Sequence, residues 1–244
     1  MNLCIDAGNT RVKIAIFNAD GSLLETKVYN TLEKKVLDEI AMKFPCKNAI
    51  ISSVSPLQNE TITSLKTQIN QLLFLNADLP IPIKNLYKTP ESLGNDRLAG
   101  IIAASVLFPK ENILVVDAGT CITCDFITQN KDYLGGNILP GILMRFKSMA
   151  NYTAQLPLVE KAEIDFFIGN TTITSIQTGV LHGVLHEIKG FIEQYEKEFE
   201  KIRVIVTGGD APYFESQLKN KIFVQPDLVL IGLNEILNYN TQQL

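Results

Sequence analysis

Two stretches of one design constrain this chain more than anything else in it. Leu3–Phe17 reads LCIDAGNTRVKIAIF and Leu114–Thr128 reads LVVDAGTCITCDFIT. Each is an apolar run ending on Asp, then Ala-Gly, a Thr within the next two residues, and a second strand-like run. A short β run, a tight Gly turn and another β run specify a hairpin. Glycine lets the backbone approach a ligand, and successive N–H groups at such a bend form a concavity for an anion. The Asp that ends the first strand can hold a cation beside that anion, directly or through water. One copy alone would be an ordinary turn. Two copies, 111 residues apart in a chain of 244, predict a duplicated domain that clamps a phosphate chain from both sides.

That length suits one large domain or two of about 120 residues. With 46% hydrophobic and 20% charged residues the chain is too apolar to be disordered. A net charge of −4 offers no reason to bind nucleic acid or an anionic membrane, yet leaves room for a nucleotide held by backbone amides and one or two cations. No stretch approaches about 18 uninterrupted apolar residues, and no basic segment followed by an apolar one precedes the first strand. The expectation is a cytoplasmic protein. Cys121 and Cys124 form C-x-x-C, but their odd spacing on a strand puts them on opposite faces and no second pair exists, so they read as inert. His182 and His186 are four apart on a helix; Gly183 stands where the zinc-protease pattern needs Glu, so they read as ordinary helix residues.

In chain order, Asp20-Gly21 turns into a third strand, Leu23–Tyr29. Asn30 with Glu33 resembles a capping box opening a helix that runs to Phe44. A strand, Ala49–Val54, stops at Ser55-Pro56, and a second helix runs to Asn70. This order predicts a mixed sheet, antiparallel at its start and parallel in its continuation. The stretch Asn76–Asn95 is irregular and long enough to be functional. It ends at Leu93-Gly94-Asn95-Asp96-Arg97, where an Ala-rich helix begins and the first backbone N–H groups are unpaired. Taken alone, Asp96 there would be an N-cap. After the second hairpin, three Gly and a Pro within Gly135-Gly136-Asn137-Ile138-Leu139-Pro140-Gly141 leave little side-chain bulk, as a loop lying under a ligand requires, with an ordinary surface turn as the alternative. Gly169-Asn170-Thr171-Thr172 leads into an amphipathic helix with Ile176, Val180, Val184, Ile188, Phe191 and Tyr195 on its apolar stripe. A strand, Ile202–Val206, closes on Thr207-Gly208-Gly209-Asp210, where a flat base or ribose can pack. Pro226–Leu233 predicts a packed C-terminal helix.

This set of motifs, in this order and over nearly the whole chain, resembles the type III pantothenate kinases of the sugar-kinase, heat-shock and actin ATPase superfamily. The most specific pieces are Leu93–Arg97 and Gly135–Gly141, taken with the two hairpins. The resemblance implies an α/β fold of duplicated ribonuclease-H-like (actin-like ATPase) domains, 1–112 and 113–244, with mixed sheets flanked by helices and an ATP cleft between the domains. It implies that Asp6, Ala7, Gly8, Asn9, Thr10, Arg11, Val12 and Lys13 form the first phosphate loop and that Thr120 in the second contacts ATP. Asp117 would lie beside a monovalent cation, potassium or ammonium. Tyr87, Gly94, Asn95, Asp96, Arg97 and Thr172 would bind pantothenate, with Thr171 an alternative to Thr172 and Asp96 the catalytic base. Gly208-Gly209 would lie near adenosine. The implied partners are pantothenate, ATP with Mg2+, and a second copy of the chain in a homodimer. The expected reaction is phosphorylation of pantothenate's primary hydroxyl, opening coenzyme A synthesis. Lys13, hairpin amides and magnesium would offset charge on the γ-phosphate, and Arg97 would keep Asp96 ionised. A related small-molecule kinase and a non-catalytic nucleotide-binding regulator remain open alternatives.

Overall fold

The computed structural model describes residues 1–8, 10–54, 59–218 and 221–241. The chain forms two compact units, one made of 1–109, 131–133 and 227–244, the other of 110–130 and 134–226.

In the first unit the opening hairpin is β1 (Asn2–Ala7) against β2 (Val12–Phe17), with Asp6 opposite Lys13. Both strands are buried along nearly their whole length, as an uninterrupted apolar run requires. The exposed strand β3 (Leu23–Tyr29) pairs antiparallel with β2; β4 (Asn48–Ser53) and β5 (Gln71–Phe74) continue the sheet in parallel, in the order β3-β2-β1-β4-β5. The mixed sheet is the one expected. Helices α1 (Lys34–Lys43) and α2 (Asn59–Gln68) bury Leu37, Ile40 and Leu65 with Leu3, Ile5 and Ile51 of the sheet. Asn30 does not cap α1. Glu33 is its N-cap residue and makes no side-chain cap, while its carboxylate accepts a bond from Thr31. The expected stop at Ser55-Pro56 falls outside the described residues.

The opposite, alternate set of strand residues includes Asn2, which donates to Asn234 Oδ1 at 2.9 Å and to Asn238 Oδ1 at 2.7 Å. Those partners lie on the C-terminal helix α7 (Leu228–Thr241), which also packs along α3 (Asn95–Leu107). A Cβ on Gly232 would stand 1.8 Å from the Ala99 carbonyl oxygen, so the two helices touch backbone to backbone. The compact units therefore cross the expected division at 112/113. The C-terminal helix joins the first unit because Leu228, Leu230, Leu233, Ile236 and Leu237 are fully buried there.

The second unit repeats the hairpin as β7 (Asn112–Ala118) and β8 (Cys121–Ile127), antiparallel, with Asp117 opposite Thr123. Its strands lie in the order β11-β10-β7-β8-β9, where β9 is Asp132–Pro140, β10 Ile202–Thr207 and β11 Phe223–Val224. β10 is parallel to both β7 and β11. Helices α4 (Ile142–Tyr152), α5 (Thr172–Phe199) and α6 (Ala211–Leu218) cover it. The predicted stripe of α5 holds: Ile176, Val180, Val184 and Ile188 are buried, with Phe191 and Tyr195 packed against the same core. The Gly-rich stretch expected as a loop is instead strand β9. A Cβ on Gly136 would lie 1.9 Å from the Cys124 carbonyl oxygen, so glycine serves there to let two strands approach. Cys121 is exposed and Cys124 buried, on opposite faces as their spacing requires, and both are free thiols. No described helix is long and apolar enough to cross a membrane.

Candidate active site

Asp6 is the penultimate residue of β1, just before the bend of the first hairpin. The Gly8 N–H donates to the Arg11 carbonyl at 3.1 Å, closing the bend. That amide is spent on the turn, and the exposed residues at its tip, Thr10 and Arg11, face solvent. Asn9 lies outside the described residues; Ala7 and Val12 are buried supports of the bend. Asp6 accepts a hydrogen bond from Ser52 of the neighbouring strand β4 and feels the charge of Lys13. These two influences favour its ionised form. Burial and the nearby carboxylate of Asp96 win against them and raise its pKa from 3.8 to about 6. The first hairpin and the Asp96 loop thus meet at a pair of acidic groups.

Asp96 sits in the first turn of α3, where Gly94 is the N-cap residue, so Asp96 is not the N-cap. Its Oδ1 accepts the Arg97 N–H at 2.8 Å. A Cβ on Gly94 would lie 2.6 Å from that Oδ1, so a side chain there would shift the Asp96 carboxylate from its place. Asn95 donates to the Leu75 carbonyl at 3.0 Å and ties the loop to the end of β5. Arg97 is buried, with its guanidinium carbon 5.4 Å from the centre of the Tyr87 ring, a cation–π arrangement. Tyr87 comes from the long irregular stretch, whose only regular pieces are β6 (Lys84–Asn85) and a 3-10 turn at Pro90–Ser92. Asp6, Ser52, Asp96, Arg97 and Tyr87 therefore belong to one unit, and Ser52 is the member that sequence reasoning missed. Its only signal was its place in the strand paired with β1.

In the second unit, the Gly119 N–H donates to the Cys121 carbonyl at 3.0 Å and leaves Thr120 exposed at the tip. Gly141 seats on this bend: its N–H donates to the Thr120 carbonyl at 3.2 Å, and a Cβ there would lie 2.5 Å from the Gly119 oxygen. Gly208, at φ +93°, closes on the same place, where a Cβ would lie 2.5 Å from Asp117 Oδ1. Asp210 donates its N–H to the Ala118 carbonyl at 2.9 Å and pairs with Lys161 at 2.7 Å. Beside that turn, Lys161, Ile164, His182, Tyr213 and Ser216 line a cavity of about 650 Å³. Lys161 was missed as a member of this site; only folding brings it, through Asp210, to the bend that Gly141 seats on. Thr172 is exposed at the start of α5, in an open depression of about 680 Å³ with Met149, Leu156 and Asn170. Thr171 is the N-cap of that helix, its hydroxyl accepting the Thr174 N–H at 3.2 Å, so the capping role falls to Thr171 and leaves Thr172 outside the cap.

A family model described as type III pantothenate kinase matches residues 2–194. A type III pantothenate kinase of Flavobacterium johnsoniae is 41% identical over 242 residues, covering 98% of each chain. Among solved structures, a conserved putative Baf family transcriptional activator from Campylobacter jejuni aligns with TM-score 0.62 at 23% identity, over 98% of this chain and 99% of that one. A ROK family glucokinase from Streptomyces griseus, solved with glucose and AMPPNP, aligns with TM-score 0.54 at 10% identity, over 98% and 99% of the two chains. At these identities the two structures speak for the fold alone, mixed sheets flanked by helices.

Proposed function

The chain belongs to the type III pantothenate kinase family, and on that premise we infer that it uses ATP to phosphorylate the primary hydroxyl of pantothenate, giving phosphopantothenate for coenzyme A synthesis. The observation that carries the site assignment is the meeting of Asp6 and Asp96, because burial and mutual repulsion of the two acids raise the Asp6 pKa to about 6. Phosphoryl transfer needs in-line positioning and charge compensation more than covalent chemistry from the protein. Asp96 is the general base that accepts the hydroxyl proton as the new O–P bond forms. Gly94 leaves room for its carboxylate, and Tyr87, Asn95 and Arg97 shape the acceptor pocket with it.

Lys13 and the first hairpin handle the phosphates, and Thr120 of the second hairpin contacts ATP. Two carboxylates that repel one another in a largely buried place suit a hard divalent cation, so Asp6 is the residue to hold Mg2+ brought with ATP. When bound, that ion supplies charge compensation at the phosphates. Asp117 is the residue for potassium or ammonium. The cavity beside Gly208 takes the adenosine end, with the Tyr213 ring and the Lys161 side chain in its wall. Thr172, outside the helix cap, is the further pantothenate contact. Exposed apolar side chains of the second unit support a homodimer, among them Tyr152, Phe167 and Ile168 at 89%, 69% and 80% exposure. The cytoplasm is the compartment for such a step.

A coupled ADP-release assay with ATP and pantothenate tests this reading. Turnover is expected only with pantothenate, and it should rise when potassium or ammonium replaces sodium. Turnover with a sugar and none with pantothenate would replace the acceptor assignment; indifference to the monovalent ion would remove that role from Asp117.

A further inference from the structure

Residues Lys131–Tyr133 lie just after the second hairpin in sequence, yet they belong to the first unit. Lys131 takes a left-handed turn, φ 63°, and its carbonyl accepts the Lys84 N–H at 2.9 Å. Two residues on, the Tyr133 carbonyl accepts the Leu86 N–H at 3.0 Å. Between these bonds β6 runs parallel to Asp132–Tyr133, with Asn85 opposite Tyr133. The Tyr133 side chain has no solvent exposure, and its ring stacks on Tyr87 with centroids 6.2 Å apart and planes 13° from parallel. Tyr87 in turn carries the Arg97 guanidinium.

We propose that Tyr133 is a positioning residue for the acceptor substrate: its buried ring and short strand hold Tyr87, and through Tyr87 hold Arg97, in the orientation that receives pantothenate. The inference rests on the reading of Tyr87 and Arg97 as acceptor contacts. Tyr87 needs such a support because it leaves β6 for a stretch with little regular structure. A free aromatic side chain in that stretch would lose rotamer freedom each time substrate bound. A two-residue strand alone is a weak template, so the stacked ring supplies what two main-chain bonds cannot. The Lys84–Asp132 pair, at 3.7 Å with the lysine exposed, adds little.

Steady-state kinetics on Tyr133→Leu, Tyr133→Phe, Tyr87→Ala and the Tyr87→Ala/Tyr133→Leu double variant test this. Losing the stacked pair should raise KM for pantothenate roughly 2- to 10-fold. KM for ATP should stay at the wild-type value. Tyr133→Phe, which keeps the ring, should hold KM for pantothenate closer to wild type than Tyr133→Leu does. The double variant should be no worse than Tyr87→Ala, since both changes remove one support. If Tyr133→Leu does not fold, Tyr133→Met, of similar volume but longer and more adaptable, refills the space without a ring and carries the same expectation. A rise with Tyr87→Ala but none with Tyr133→Leu or Tyr133→Met, or equal rises for both substrates, overturns the proposal. No change with Tyr87→Ala itself overturns the underlying reading of the acceptor loop, and the proposal with it.

Discussion

Replacing Asp6 with Asn should stabilise the ligand-free protein while destroying its activity. The Asp6 carboxyl titrates at about 6 in the fold against an ordinary 3.8, with burial the larger cause and Asp96 the next. A raised carboxyl binds its proton more tightly in the folded chain than in the unfolded one. Its contribution is fully present below pH 3.8 and is lost as pH rises through about 6. Above that, the ionised Asp6 costs up to about 3 kcal/mol relative to a neutral side chain, at 1.36 kcal/mol per pH unit. Asn is neutral throughout and can still accept the Ser52 bond. For a chain of this size each kcal/mol is worth about 2–4 °C in Tm. Thermal melts in EDTA without nucleotide at pH 7.5 should therefore put Asp6→Asn several degrees above wild type. Near pH 4 the two curves should converge, because wild-type Asp6 is then protonated as well. A variant less stable at pH 7.5, or a gap independent of pH, would refute the reasoning. Activity lost alongside stability gained is the ordinary trade at a site that gathers like charges.

Asp96→Asn should lower kcat by on the order of 10²-fold or more, the usual worth of a positioned base, with the fold intact by circular dichroism. The same variant should bring the Asp6 titration down toward its ordinary range, since the repelling charge is gone; an NMR titration of the Asp6 carboxyl reads this. Lys13→Ala should raise KM for ATP and leave KM for pantothenate alone; unchanged ATP kinetics would show that the first hairpin does not handle phosphate. Gly232→Ala drives a methyl into the Ala99 carbonyl and should destabilise the first unit by at least about 2 kcal/mol, read as a lower denaturant midpoint.

Much of the architecture was legible in the pattern of residues. The two Asp-Ala-Gly bends announce themselves because a β run, a Gly turn and another β run leave the chain one local solution. The amphipathic spacing of Ile176, Val180, Val184 and Ile188 does the same for α5. Local pattern failed where glycine had a distant reason. Gly135–Gly141 reads as a loop until the Cys124 carbonyl is seen at van der Waals range of Gly136, because nothing nearby in sequence reveals a backbone ten or more residues away. Likewise the C-terminal helix follows the second unit in sequence but buries its leucines in the first. The motifs, through the family they resemble, singled out the residues proposed to carry the chemistry: Asp6, Lys13, Asp96, Arg97, Asp117 and Thr120. Tertiary structure alone decided that Asp96 stands close enough to Asp6 to raise its pKa, that Ser52 bonds to it, and that Tyr133 lies under Tyr87. The reason is physical: hairpins and helix stripes are specified by neighbours along the chain, whereas electrostatic coupling and ring stacking depend on distances that only the packed chain sets.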